Sequence, residues 1–310
     1  MSPWIWIVAL VPPILYAVSN LIDKVIVHGD EEDNNSWAMI ALGTIFDLVL
    51  VIPIGIYCWV TTGTLFPSAD AFWPLFMNGS VFTLAAWLFY QAIKTEDVSK
   101  ATAIFQTVPA FGFFLGLYGL NEILSWPIIL AIILLMMGGY TLSITKGKIN
   151  KKILVAMLLS SALYAVNDFV VAKYGREVIE ASGNLASTKE ALPAIFADLL
   201  GKMFFGMLPL IGQKERASFK LGFKTKFKLM AACSITYTVG DASFDIAKIL
   251  APLALVQALC CTQPLFVLIG ATGLTLFCKS FPKEEVSKGS LWQKVFGISL
   301  MVVGGILLSI

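Results

Sequence analysis

The most constraining feature of the sequence is a series of long apolar runs, several of which reach the roughly 20 residues that a helix needs to cross a bilayer core. A soluble surface cannot cover such runs, because only 14% of the 310 residues are charged, against about a quarter in soluble domains. The runs are continuous and lack the period-two alternation of barrel strands. The sequence therefore predicts an all-α integral membrane protein.

Ten transmembrane helices joined by short linkers are predicted, and each linker is named here by the helices it joins. Their expected bounds are residues 4–26, 37–60, 71–93, 101–120, 124–144, 153–173, 191–211, 229–249, 254–277 and 291–310. Most of the 22 basic residues lie in or beside linkers 1–2, 3–4, 5–6, 7–8 and 9–10, the odd linkers. The positive-inside rule places these linkers in the cytoplasm, so both termini are predicted to be extracytoplasmic.

Four short motifs recur in the same order in the two halves of the chain. Residues 15–20 match 163–168, residues 45–48 match 196–199, residues 106–109 match 262–264, and residues 138–144 match 304–310. Each unit holds five helices, an odd number, so the second copy must cross the membrane in the opposite sense. The predicted organisation is two inverted five-helix repeats, residues 1–148 and 149–310.

Several local patterns accompany this five-plus-five layout: the polar segment 19–24 that ends helix 1, Pro109 in helix 4, Asn121 and Glu122 after it, and the glycine-rich fifth helix. With these features the chain resembles the ten-helix EamA-type branch of the drug/metabolite transporter superfamily. The resemblance implies a carrier of the inner or plasma membrane that exports amino acids, metabolites or drug-like compounds by alternating access. It also implies a central cavity between the repeats.

Polar side chains inside the predicted helices are candidates for function, because a charge at the bilayer centre costs at least about 2.5–3.5 kcal/mol. The candidates for substrate binding or coupling are Tyr16, Asn20, Asp47, Gln106, Tyr164, Asn167, Asp168, Asp198, Lys202, Asp241, Asp245 and Gln263. For the asparagines and glutamines, hydrogen bonding between helices is an equally open alternative.

The buried charges also have structural alternatives. Asp198 and Lys202 are four residues apart and could form a structural ion pair. Asp47 could be a protonated carboxyl group bonded to a neighbouring helix, or a group that binds protons or cations. Asp241 has no obvious partner in its own helix and is expected to line the pathway.

Near the end of the same helix, Asp245 precedes Lys248 by three residues. Lys248 is expected either to extend its ammonium group to the membrane surface or to pair with Asp245.

The leading hypothesis is a secondary transporter that exports a small polar or amine-bearing solute, with proton exchange as a candidate driving force. A divalent-cation transporter or channel and a lipid-handling membrane protein are the alternatives. An enzyme is not expected, because the sequence shows no HExxH-type motif and its only histidine, His28, lies in a linker. The expected partners are a small-molecule substrate and the lipid bilayer, without nucleic acid, metal or cofactor, for a monomer or homodimer.

Overall fold

The computed structural model describes residues 3–27, 35–95, 104–143, 151–183, 188–277 and 288–307. These residues form helices and connecting turns and contain no strand. Together with the apolar composition of the helices, this confirms an all-α membrane protein.

Twelve helices of at least eight residues are present in the described ranges. They are α1 Pro3–Val27, α2 Ser36–Ile45, α3 Leu48–Thr62, α4 Ala69–Thr95, α5 Val108–Gly119, α6 Trp126–Ser143, α7 Lys151–Ser182, α8 Thr188–Met207, α9 Gln213–Leu250, α10 Leu253–Cys260, α11 Gln263–Phe277 and α12 Lys288–Leu307. A 3-10 turn, Leu208–Ile211, joins α8 to α9.

Every predicted span overlaps one or two of these helices, although the number of membrane crossings is not settled by helix length. Among the described residues, six segments are long and apolar enough to cross a membrane, and α5, α6 and α12 contain shorter apolar stretches. Helix α9 is 38 residues long but carries several charged side chains. The count of ten crossings therefore stays a prediction.

Two of the predicted spans are interrupted helices. The second divides at Phe46 and Asp47 into α2 and α3, and the ninth divides at Cys261 and Thr262 into α10 and α11. Proline explains the second interruption, because Pro264 lacks the N–H group that would continue the helical hydrogen-bond ladder.

The recurring threonine–proline motif adopts the same local structure in both halves. Thr107 and Thr262 each donate their hydroxyl group to the carbonyl three residues earlier, at 2.7 Å, and each precedes a helix with proline at its second position. In this register Thr107 corresponds to Thr262. Gln106 thus lies before its helix begins, whereas Gln263 is the first residue of α11.

The helix packing follows a pattern that an exchange of the two halves would produce. Helix α1 packs along α9 and α4 along α7, while α6 packs along α12. In the numbering of predicted spans these are the pairs 1 with 8, 3 with 6, and 5 with 10. The pattern is consistent with the inverted repeat, and the division at residue 148 stays a prediction.

Helix backbones approach each other closely where α4 crosses α8. A Cβ atom on Gly79 would overlap the backbone of Gly201, and one on Gly201 would overlap the carbonyl oxygen of Phe76. Small residues permit such crossings in membranes, where close packing rather than the hydrophobic effect holds helices together.

Replacement of Gly201 by alanine is expected to force α4 and α8 apart. Overpacking of this kind costs typically about 1–3 kcal/mol, so G201A should unfold at a lower temperature than the wild type in detergent. G273A is the matched control, because a Cβ atom on Gly273 would meet nothing within 4 Å. Equal melting temperatures for G201A and G273A would contradict the proposed close contact.

Candidate functional site

The centre of the helix bundle contains a lysine surrounded by carboxylates. Lys202, on α8, is 2% exposed, and its Nζ lies 2.6 Å from Asp198 Oδ2 one turn earlier. The same Nζ lies 2.6 Å from Asp241 Oδ2 and 3.8 Å from Asp245 Oδ2, both on α9. The ion pair within α8 that the spacing suggested is present, and it extends to a second helix.

A second buried lysine continues this arrangement. The ammonium group of Lys248 lies 2.7 Å from Asp168 Oδ1 on α7 and 2.6 Å from Asp245 Oδ1. The expectation that Lys248 extends to the membrane surface is wrong, because its side chain is fully buried. Its pairing with Asp245 is present. Since Asp245 contacts both lysines, the six groups form one charge network.

Neutral side chains from other helices complete the network. Asn78 on α4 donates to Asp198 at 2.9 Å, and Gln257 on α10 donates to Asp168 at 2.8 Å. Tyr16 on α1 donates its hydroxyl group to Asp241 at 3.3 Å. Asn78 and Gln257 were not among the predicted site residues, and their only signal in the sequence is an amide inside an apolar run.

The network holds more acidic than basic groups. Four aspartates, Asp168, Asp198, Asp241 and Asp245, share two ammonium groups. Two negative charges are therefore in excess if every group is ionised. Isolated charges are strongly disfavoured away from water, so bound protons or a further cation must balance this excess.

A cavity of about 200 Å³ lies beside the network. Ten of the twelve predicted site residues line it: Tyr16, Asn20, Asp47, Gln106, Tyr164, Asn167, Asp168, Lys202, Asp241 and Gln263. Asp198 and Asp245 are not in its wall and lie behind Lys202, which contacts both. Asp241 therefore belongs at once to the cavity wall and to the charge network.

Aromatic rings form much of the remaining wall. Phe82 packs against Tyr164 and Tyr237, with ring centroids 5.7 and 6.3 Å apart. Tyr16 packs against Tyr237 at 5.1 Å. The Lys202 ammonium group lies 4.9 Å from the centroid of Phe82, so these ring faces already contact a cation.

Asp47 occupies a separate position in the same wall. It lies at the junction of α2 and α3, and Thr238 on α9 donates its hydroxyl group to Asp47 Oδ1. The expected hydrogen bond to a neighbouring helix is thus present. Asp47 and Asp198 occupy matching positions in the predicted repeat, yet only Asp198 pairs with a lysine.

Asn167 lines the cavity and carries a side-chain N–H group that can donate a hydrogen bond. Its side chain is 2% exposed, and its Nδ2 has no hydrogen-bond partner among the described residues. Since a buried amide N–H is costly to leave unpaired, water or a solute in the cavity is its natural acceptor.

The lining of the cavity does not come from one side of the bundle. The lining residues on α1, α4 and α8 lie in the half of each helix that leads to an odd linker, whereas Gln257 on α10 and Gln263 on α11 lie near linker 8–9.

At the even-linker end of the bundle, Arg176 and Glu122 form an ion pair of 2.7 Å. Glu122 accepts the N–H group of Leu253, and Arg176 donates to the carbonyls of Lys248 and Ala251, so linkers 4–5, 6–7 and 8–9 are held together there.

Residues 3–144 match a model described as the EamA-like transporter family. The first half of the chain is an EamA-like unit. This family belongs to the drug/metabolite transporter superfamily, so the predicted resemblance is confirmed. The first half of the chain is thus similar to transporters of the drug/metabolite type, and the apolar helices support a multi-pass membrane protein.

The fold also occurs in a solved structure. One crystal structure, whose title names no function, superposes on 99% of this chain and 97% of its own length. The TM-score is 0.67 and the sequence identity is 13%. At this identity the likeness concerns the fold alone. No curated protein matches the chain.

Removal of one lysine from the network is expected to destabilise the protein. In K248M, Asp168 and Asp245 lose their ammonium partner, and breaking a buried pair in this way costs about 3–5 kcal/mol. The melting temperature in detergent should fall, and D245N/K248M should recover part of the loss because one unpaired carboxylate is removed. K151M, at an exposed lysine of α7, is the control; equal losses for K248M and K151M would contradict a buried network.

Proposed function

We propose that the protein is a secondary active transporter that exports a small amine-bearing organic solute by alternating access. The observation that carries the proposal is that Asp241 both lines the cavity and forms an ion pair with Lys202. A solute in the cavity can thereby reach a carboxylate of the buried network that is paired with Lys202; Asp168, paired with Lys248, is the other network carboxylate in the wall.

The size and chemistry of the cavity support a small cationic solute. Its volume of about 200 Å³ lies below the roughly 300–1,000 Å³ typical of pockets for drug-sized ligands. Ring faces from Tyr16, Phe82 and Tyr237 favour an ammonium group through cation–π attraction. Asn167 adds a donor for an acceptor atom elsewhere on the solute.

In the proposed mechanism, the ammonium group of the solute displaces Lys202 from Asp241. Lys202 keeps its bond to Asp198 within α8 and moves toward Asp245, whose Oδ2 is already 3.8 Å away. The Lys202–Asp241 pair is thereby exchanged for a Lys202–Asp245 pair one turn further along α9, so binding of the solute favours a shift of α8 relative to α9. The acidic excess leaves room for protons that are exchanged for the solute.

The proposed direction is from the cytoplasm outward. The positive-inside rule places the odd linkers in the cytoplasm and both termini outside. Since linkers 4–5, 6–7 and 8–9 are held together by Glu122 and Arg176, solute would enter the cavity from the odd-linker side, the cytoplasm. The Glu122–Arg176 pair would then close the opposite side and would have to separate for release.

A divalent-cation transporter is the second candidate, because carboxylate oxygens of Asp198, Asp241 and Asp245 lie within 4.8 Å of one another. Lys202 contacts all three of these aspartates, however, and a divalent ion would have to displace its ammonium group. An organic cation needs only Asp241, so we favour it over the metal ion. We also favour transport over lipid handling or catalysis, because the described polar residues converge on one cavity inside the helix bundle.

Replacement of Asp241 by asparagine is expected to abolish the transfer of alkylamines and amino acids into proteoliposomes, with a rate loss of at least about tenfold for a removed charge-assisted contact. The measurement is uptake of radiolabelled amines with and without an imposed proton gradient. D70N is the matched control, because Asp70 is exposed on the first turn of α4. Unchanged uptake by D241N at every pH would remove Asp241 from the mechanism.

Replacement of Lys202 by methionine separates binding from transport. Without its internal competitor, Asp241 should bind alkylammonium ions more tightly, while the transport rate falls because the α8–α9 ion pair can no longer re-form. Calorimetric titration with alkylammonium measures the first effect, and D198N/K202M provides a variant with fewer unpaired carboxylates. Weaker binding in both variants would argue against displacement of Lys202 by the solute.

A further inference from the structure

The first half of α9 carries a row of basic side chains outside the cavity and its charge network. Arg216, Lys220, Lys224 and Lys228 follow one another at four-residue spacing, and all four are exposed. This spacing places them on one face of the helix, over a length of about 18 Å. These four residues are called the basic stripe below.

The basic stripe has few partners of its own. Arg216 donates to the carbonyl oxygens of Leu210 and Ile211. Lys220, Lys224 and Lys228 form no ion pair with any residue in the described ranges. Like charges at four-residue spacing repel each other along a helix, so an external anionic partner would relieve a repulsion that the protein itself leaves in place.

A row of aromatic side chains runs beside the basic stripe. Phe219, Phe223 and Phe227 also follow at four-residue spacing, with consecutive ring centroids 5.9 and 4.9 Å apart. Phe223 is 38% exposed and Phe227 is 42% exposed. Exposed aromatic rings next to lysines are typical of helices at the boundary between lipid headgroups and acyl chains.

The first half of α9 packs along the start of an apolar segment. Phe227 contacts Phe46 with ring centroids 5.3 Å apart, and Phe219 packs against the buried cluster that includes Met39 and Leu42. These residues belong to the first part of the segment Ser36–Thr62, which is long and apolar enough to cross a membrane. Because α9 begins directly after the turn that follows α8, the basic stripe lies on the odd-linker side of the protein.

We propose that the basic stripe is a binding surface for anionic phospholipids of the leaflet on the odd-linker side. The ammonium groups of Lys220, Lys224 and Lys228 pair with lipid phosphates, and Phe223 and Phe227 pack against the adjoining acyl chains. The aromatic row favours a lipid over an acidic protein or RNA, because either of those would leave the exposed rings without an apolar environment. This inference does not depend on which solute is transported.

The test compares two double variants that remove the same charge from the same side of the protein. K220Q/K224Q removes two lysines of the basic stripe, whereas K151Q/K214Q removes two exposed lysines at the starts of α7 and α9. Full-length protein is reconstituted in bilayers of phosphatidylcholine and phosphatidylglycerol and extracted gently, and the lipids that stay bound are quantified by native mass spectrometry.

The wild type should retain phosphatidylglycerol in preference to phosphatidylcholine. K220Q/K224Q should bind it about thirtyfold more weakly, from the contribution of each lysine near an anionic surface. K151Q/K214Q and the charge-conserving K220R/K224R should both keep the preference.

Two outcomes would overturn the proposal. One is an equal loss of phosphatidylglycerol in the two glutamine variants, which would show that only total charge matters. The other is stripe-dependent binding of polyglutamate or an RNA oligonucleotide by the detergent-solubilised protein without any preference for phosphatidylglycerol.

Discussion

The structure depends on the requirement that two lysines buried in an apolar bundle must each contact carboxylates. Lys202 and Lys248 obtain these carboxylates from three helices, α7, α8 and α9, and Asp245 is shared between them. Desolvation makes such pairs poor sources of net stability, but leaving any member unpaired is costly. The network therefore favours helix arrangements in which all of these pairs are kept, because an arrangement that separates them would leave a buried charge without a partner.

The same requirement connects structure to transport. A network with four carboxylates and two ammonium groups carries two excess negative charges when every group is ionised. The cavity borders this network at Asp168, Lys202 and Asp241. Under the proposed mechanism, a cation that enters the cavity alters the pairing between α8 and α9. Solute binding and helix arrangement would then be coupled, because the solute and Lys202 compete for the oxygen atoms of Asp241, and the aromatic wall would contact the cation without a counter-charge of its own.

The sequence predicted the membrane helices well, because bilayer thickness imposes a length that apolar runs reveal directly. It did not predict the break at Phe46 and Asp47, where no proline interrupts the helical hydrogen-bond ladder. Within the site, the Asp198–Lys202 pair follows from spacing along one helix. The pairs Lys202–Asp241 and Lys248–Asp168 join residues 39 and 80 positions apart, so they depend on how helices pack and no local pattern reports them.

The two halves have similar helix arrangements but different charged residues at matching positions. Asp47 and Asp198 hold matching positions in the predicted repeat, yet the residue four places after Asp47 is Val51, whereas Asp198 is followed by Lys202. The family match ends at residue 144, and every charged member of the network lies beyond it. The EamA-like segment thus supplies part of the aromatic wall, Tyr16 and Phe82, but none of the charged groups of the network. For this reason we infer the chemistry of the solute from Asp241, Lys202 and the aromatic wall rather than from the family.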